Sequence, residues 1–349
     1  MSNVMNAAFV PALKSLEFRT VPIPTIIPGS VLLKVNSCSV CGSDVRIFDT
    51  GNSRVTYPAI IGHEVAGEVV AVGQDVTRLK IGDKIALGAD VPCGECDWCL
   101  NGMCNCCDKN YALGYQFSGG YAQYCLLHPL IVQFGSLAKI PENIPMDQAA
   151  LAEPLACCIN GMERVNFSVG KSVIIIGAGP IGLLLAQLAR VMGSPLIIIA
   201  DISEERLKYA HLAGADHVIN SAKDDIICAV QKITNGKGAD VVFTACAVGK
   251  VHELSLSLVA KRGYVNLFGG LPVSAGPITI LSNQIHYKEV CVTGSHGSTP
   301  RQFDIAMSLI ASGRINVASL ITHHFKLPDL ELAFATVRDR KGLKVVVNP

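Results

Sequence analysis

Charge is what this sequence has least of. Only 16% of its 349 residues are Asp, Glu, Lys or Arg, against ~25% in ordinary soluble domains. The two signs nearly cancel, leaving a formal net charge of +1. A chain so balanced has no cationic surplus to draw nucleic acid or an anionic membrane surface. Intrinsic disorder needs high charge and low hydrophobicity, and half of this chain is hydrophobic. A long unbroken apolar run is missing too. One strongly apolar uncharged stretch, Ser172 to Ala189, is interrupted by Gly177, Gly179, Pro180 and Gly182. A mean hydropathy of +0.40 therefore reads as a buried parallel strand entering a buried helix, not as a membrane span. The opening residues, MSNVMNAAF, lack the cationic and apolar regions of an export signal, so a cytoplasmic location is expected. Repeats and low-complexity tracts are also absent.

Cysteine, by contrast, is abundant: 14 residues. In a reducing compartment disulfides are not the expected use, and metal binding is the alternative.

The chain changes character near residue 156. Before it, short apolar runs (Val31–Val35, Gly67–Val72, Tyr121–Leu127) lie between Gly and Pro punctuation. That pattern predicts a compact β-rich sheet or partial barrel over residues 1–155. Residues 90–110 show no periodicity and are crowded with cysteine, as expected of a lobe organised by something other than an apolar core. Within a domain expected over 156–294, strands alternate with helices from 172 to 294. The predicted strands are Ser172–Ile176, Leu196–Ala200, His217–Ile219, Asp240–Thr244, Tyr264–Phe268 and Val290–Thr293, with helices at 180–192, 203–213, 222–235 and 249–260. Such alternation predicts an α/β, doubly wound parallel sheet. Residues 295–349 hold helix patterns at 300–312 and 328–337 and a strand, Leu343–Val347. They are too short to stand alone and are expected to complete the first region.

A dinucleotide site is predicted at Gly177-Ala178-Gly179-Pro180-Ile181-Gly182, which follows a β-branched run and opens a helix. The first glycine serves the tight turn, the second clears space for a pyrophosphate, and the third lets helix pack on strand. Free N–H groups at the helix N-terminus face the phosphates. Asp201 lies 19 residues beyond Gly182, where a carboxylate accepts from ribose hydroxyls and repels a 2′-phosphate. This favours NAD over NADP, with Arg206 as the one nearby residue that argues otherwise.

Two metal constellations stand out. Cys93, Cys96, Cys99 and Cys107 are spaced C-x2-C-x2-C-x7-C, a set that closes a tetrahedral zinc and leaves no open position. Cys104 and Cys106 share the loop, so spacing alone leaves the fourth ligand open. The second set is dispersed: Cys41 in Cys41-Gly42-Ser43-Asp44, His63 and Glu64 after Gly62, and Glu153. These supply mixed sulfur, nitrogen and oxygen donors with room for another ligand.

On these residues the chain resembles the zinc-containing medium-chain dehydrogenases, the alcohol dehydrogenase superfamily, and within it the sorbitol (polyol) and threonine dehydrogenase branch. Gly62-His63-Glu64, Gly67, Gly73 and Val76 match the GHExxGxxxxxGxxV signature. The resemblance runs essentially end to end. It implies a GroES-like catalytic domain with an inserted Rossmann domain, two zinc ions per chain, NAD, and a homodimer or homotetramer. It implies that Cys107 is the fourth structural ligand. It also implies that Cys41 and His63 hold a catalytic zinc, that Glu64 or Glu153 is the third ligand, and that Asp44 orients His63. Glu153 stands where liver-type alcohol dehydrogenases have cysteine and polyol or threonine dehydrogenases have glutamate.

The implied activity is that of an oxidoreductase on CH–OH groups, oxidising a secondary alcohol of a polyol or sugar alcohol to a ketone. The alternatives are a polyol phosphate of the galactitol-1-phosphate kind, L-threonine at its 3-position, and a relative that binds nucleotide without catalysis. Ser43 is placed to take the first proton. Many relatives have a histidine three residues further on. Here the position is Arg46, which stays protonated; it is either a binder of an anionic substrate group or a surface residue. The substrate pocket is expected around 46–57, 115–118 and 268–296.

Overall fold

The computed structural model describes residues 3–349. The chain forms two compact units. One runs through Ala156 and resumes at Gly297–Pro349; the other is Cys157–His296.

The first unit is built on a sheet ordered Ile321–Lys326, Lys344–Asn348, Val31–Ser39, Glu64–Val72, Lys84–Leu87 and Leu137–Lys139, with Tyr124–Leu127 also pairing Val31–Ser39. The last segment of the sequence thus pairs with an early one, Val346 opposite Ser39. Val31–Ser39 buries Val31, Leu33 and Val35 while Lys34 and Asn36 face out, the period-two pattern of a half-buried strand. Its pairing with Glu64–Val72 carries two register shifts, and Gly67 marks the closest approach. A Cβ there would lie 2.3 Å from the Lys34 carbonyl. Leu33, Ile61, Val65, Ile85, Leu127, Phe334 and Val345 join one apolar core. Burying each such side chain is worth about 1.5–3 kcal/mol.

Residues 90–110 contribute little to that core. Asp90–Val91 pairs with Tyr111–Ala112, and a single helical turn, Asp97–Leu100, lies between them. Trp98, Leu100 and Met103 are exposed.

The second unit is a six-stranded, wholly parallel sheet. Its order is His217–Asn220, Ile197–Asp201, Val173–Ile176, Ala239–Thr244, Val259–Leu267 and Cys291–Gly294. This is the doubly wound order in which the chain reverses direction beside the first strand. All four residues of Val173–Ile176 are buried, as both faces of a parallel sheet require. The uncharged stretch at 172–189 is therefore a strand, a glycine turn and most of the helix Pro180–Val191. No helix among the described residues is long and apolar enough to cross a membrane.

Several element bounds differ from the sequence expectation. The helix expected at 203–213 is only Glu204–Leu207. Beyond it Tyr209 and Ala210 bond three residues back, to Arg206 and Leu207, so the segment tightens into turns. The helix expected from 222 starts at Ile226, because the Asp225 side chain caps it by accepting from the Cys228 N–H. The fifth strand starts at Val259 rather than Tyr264, directly after the helix Gly249–Leu258. A helix at Ser282–Lys288 was not anticipated; its side chains are only partly covered, so no apolar stripe marks it. In the first unit Glu64–Val72 begins three residues earlier than the apolar run at Gly67. Tyr124–Leu127 begins three later than expected. The final strand is shifted by one, to Lys344–Asn348.

Candidate active site

The strand Val31–Ser39 ends just before Cys41, whose backbone is extended and opens the helix Gly42–Thr50. Asp44, in the first turn, accepts the Cys41 N–H at 3.0 Å. Asp44 is fully buried. A buried carboxylate needs partners on every side, and it has two more: His63 Nδ1 at 3.0 Å from Oδ1 and the Tyr121 hydroxyl, which donates to Oδ2 at 3.0 Å. With Nδ1 occupied, Nε2 is the ring nitrogen left for a metal or a proton partner. Ser43 Oγ lies 3.3 Å from it. Burial disfavours the charged imidazole, but the adjacent Asp44 carboxylate and the Cys41 sulfur outweigh this and hold the His63 pKa well above its ordinary value.

The donor atoms of Cys41, His63 and Glu64 lie within 4.8 Å of one another. One thiol, one imidazole and one carboxylate at that spacing fit a zinc ion with an open coordination position. Glu64, however, is also held by Lys344, whose Nζ contacts both carboxylate oxygens. Burial works against the Lys344 ammonium, yet Glu64 raises its pKa overall. Glu153 is outside that three-residue group but sits beside it, in the first turn of the helix Ala152–Arg164. It is 5% exposed. Burial pushes its carboxyl up to about 7, a rise that His63 partly opposes and Glu64 reinforces.

Arg54 and Tyr115 lie within the expected windows 46–57 and 115–118, whereas sequence reasoning did not single out Tyr121 or Lys344. Tyr115 stands with its ring 6.0 Å from the His63 ring. Arg54 lies over the Tyr115 ring at 4.7 Å. Of Tyr121 and Lys344, the lysine leaves a trace in the sequence, as a lone cation opening a β-branched strand. Arg46 is exposed on the helix Gly42–Thr50.

The four sulfurs of Cys93, Cys96, Cys99 and Cys107 also lie within 4.8 Å of one another. Cys104 and Cys106 form a separate short turn outside the group. Backbone N–H groups of Cys93 and Cys96 point at the Cys107 and Cys93 sulfurs, at 3.4 Å each. Amides of Asp108 and Cys99 bring the Cys96 thiol down to about 7, whereas burial and the neighbouring sulfurs push Cys99 up to about 12. Four sulfurs this close cannot all ionise without a cation between them, and a tetrahedral zinc is the cation that fits four thiolates.

In the second unit Gly177 has φ +118°, and a Cβ at Gly182 would fall 1.8 Å from the Gly177 carbonyl. The turn and the close helix–strand packing therefore require glycine at both positions. Gly179 precedes Pro180 at the helix start, and the nearest atom to a Cβ there is Arg206 Nη1 at 3.5 Å. That side is open to a phosphate group. Ile181, in the first turn of the helix, is partly exposed. Asp201 ends the second strand and spans the turn, accepting the Ala178 N–H at 2.6 Å and the Ser203 N–H at 2.8 Å. Each of its oxygens has a further lone pair for a ribose hydroxyl.

The fold and the two cysteine-containing clusters define a zinc-binding dehydrogenase with a GroES-like domain. Comparison with known proteins agrees. Residues 27–137 match the alcohol dehydrogenase GroES-like domain, and residues 180–312 match the zinc-binding dehydrogenase domain. The chain belongs to this family. It is 32% identical over 345 residues to a D-arabitol-phosphate dehydrogenase of Enterococcus avium, covering 97% of this chain and 95% of the relative. It is 35% identical over 336 residues to an L-threonine 3-dehydrogenase of Pyrococcus horikoshii, covering 95% and 94%. A zinc-binding dehydrogenase of Sinorhizobium meliloti, solved bound to NADP, superposes with a TM-score of 0.92 at 29% identity over all of both chains.

Proposed function

We propose that this protein is a zinc- and NAD-dependent dehydrogenase that oxidises a secondary alcohol of a polyol or sugar alcohol to a ketone. The observation that carries this reading is the half-buried Cys41 beside the buried His63, with Asp44 on Nδ1 and Ser43 on Nε2. Cys41, His63 and one glutamate would hold the catalytic zinc. Glu153 is the better third ligand, because Lys344 already engages both oxygens of Glu64. Cys93, Cys96, Cys99 and Cys107 would hold the structural ion. Zinc supplies Lewis acidity that lowers the pKa of an alcohol, and NAD supplies the hydride acceptor.

The chain's own residues do the rest. Ser43 accepts the proton of the substrate hydroxyl, since its Oγ both donates and accepts. The proton then leaves through solvent, because Arg46 cannot titrate. Tyr115 walls the site, its ring 6.0 Å from that of His63. The glycine turn and the N-terminus of the helix Pro180–Val191 hold the pyrophosphate. Asp201 takes the ribose hydroxyls and its charge opposes a 2′-phosphate, while Arg206 beside Gly179 pulls the other way. We assign the balance to NAD, although the Sinorhizobium meliloti relative was solved with NADP. With no disulfide among the described residues, the protein suits the cytoplasm, where we place it as a homodimer or homotetramer.

A screen for NAD reduction over polyols, polyol phosphates and L-threonine, alongside metal content, tests this. Turnover of a polyol or its phosphate with two zinc ions per chain is expected. A fully zinc-loaded protein that reduces NAD with none of these overturns it. Size-exclusion chromatography with light scattering reads the assembly.

A further inference from the structure

Arg54 is held in an unusual way for a loop arginine. Its guanidinium stacks on the Tyr115 ring at 4.7 Å, and Nη2 donates to the Asn110 carbonyl. Its backbone N–H is tied to Asn52 Oδ1 at 2.9 Å, which fixes where the side chain leaves the loop. Nε is enclosed and meets no acceptor among the described residues. Leaving such a donor unmade costs about 1–3 kcal/mol. The ring beneath it leads to the reaction centre: the Tyr115 and His63 ring centroids are 6.0 Å apart, and Ser43 Oγ lies 3.3 Å from His63 Nε2. One aromatic ring thus separates a permanent cation from the Cys41–His63 pair, and no carboxylate among the described residues forms an ion pair with it.

We infer that Arg54, backed by Tyr115, is the subsite for an oxyanion carried by the substrate a few bonds from the alcohol that is oxidised. The inference rests on the dehydrogenase reading above and deepens it by naming the substrate class. A planar guanidinium offers paired N–H groups to a phosphate or carboxylate, and stacking limits the freedom lost when it binds. An arriving oxyanion that draws the guanidinium along the ring also supplies the acceptor that Nε lacks. Arg46, the residue that sequence spacing offers for this role, lies exposed on its helix, with no comparable contact to Tyr115 or Ser43. The one-ring offset suits the phosphate of a polyol phosphate better than the carboxylate of a short hydroxy amino acid, whose anion is only two bonds from the carbinol carbon.

The test compares kcat/KM for a polyol phosphate, its neutral parent polyol and L-threonine, in the zinc-loaded enzyme and in Arg54→Gln and Arg54→Lys. The wild type is expected to favour an anionic substrate over the neutral polyol by roughly 10- to 100-fold, the strength of charge-assisted hydrogen bonds. Arg54→Gln should bring that ratio near one, mainly through KM, and Arg54→Lys should restore part of it. Which anionic substrate shows the loss identifies the source as phosphate or carboxylate. Calorimetric titration with inorganic phosphate gives a readout independent of turnover: binding in the wild type, and at least tenfold weaker binding in Arg54→Gln with unchanged zinc content. A wild type that does not discriminate, or a preference that survives Arg54→Gln, overturns the subsite. If no alcohol is oxidised at all, the dehydrogenase reading fails, and phosphate titration still decides the subsite by itself.

Discussion

Asp44 Oδ1 lies 3.0 Å from His63 Nδ1, and the same carboxylate accepts from the Cys41 backbone and the Tyr121 hydroxyl. One buried side chain therefore positions two residues that would bind the same metal ion, from opposite ends of a 22-residue separation in the chain. Asp44→Asn keeps the shape but removes the charge. It should weaken zinc binding or activity about 10- to 100-fold, the usual cost of losing an outer partner of a ligating histidine. Competition with a chelator, alongside kcat/KM, reads both. Unaltered zinc affinity and turnover would refute the positioning role.

Lys344 and Glu64 form a buried pair, 5% and 0% exposed at their side chains. Lys344→Met strands the Glu64 carboxylate without its cation. A loss of about 3–5 kcal/mol in unfolding free energy is expected, as for other broken buried pairs. Adding Glu64→Gln should recover part of it. Denaturant unfolding of the two variants measures the difference, and a double variant no more stable than Lys344→Met contradicts the account.

The two cysteine-containing clusters should lose metal independently. Cys107→Ser is expected to drop zinc content from two to one per chain and to make residues 90–110 sensitive to protease, because that lobe has little apolar packing. Cys41→Ser should also retain one zinc, yet keep the lobe protease-resistant and lose turnover. Cys104→Ser and Cys106→Ser should keep both ions. Elemental analysis with limited proteolysis separates these patterns.

Asp201 ties the glycine turn to Ser203, and the proposed role of its charge is to oppose a 2′-phosphate. Asp201→Ala should erode the preference for NAD over NADP by about tenfold or more, the removal of a charged hydrogen-bonding group being worth about 1.5–3 kcal/mol. The ratio of kcat/KM for the two coenzymes is the measurement. Equal ratios in parent and variant would show that Asp201 does not discriminate.

Acid stability should report Asp216. Burial raises its carboxyl pKa, but Arg190 at 2.7 Å and the Ile197 amide outweigh this and leave it below its ordinary value. A depressed carboxylate stabilises the fold above its unfolded pKa of about 3.9, and that contribution disappears as pH falls through the folded value. Asp216→Asn should therefore melt below the parent at pH 7, with the gap closing below about pH 4. A gap independent of pH assigns the effect to packing instead.

How much of this was legible beforehand depended on distance along the chain. The glycine turn and the acid after it occupy one β-α-β stretch, so spacing and periodicity alone located Gly177, Gly179, Gly182 and Asp201. The four sulfurs that meet in the cysteine lobe fall within 15 residues. Helix ends were less legible, because the cap at Asp225 and the turns after Leu207 depend on single side-chain bonds that hydrophobic periodicity does not register.

The amino-acid sequence by itself determined the parallel-sheet unit, the donor types of both cysteine-containing clusters and the order of parts, since each follows from local pattern or from residue chemistry. Tertiary structure decided the rest. It set Lys344 against Glu64 across 280 residues of chain, placed Glu153 beside the Cys41–His63–Glu64 group rather than within it, and stacked Arg54, not Arg46, on the Tyr115 ring next to His63. These are contacts made by sheet pairing and loop packing. They bring together residues whose separation in sequence carries no information about their separation in space.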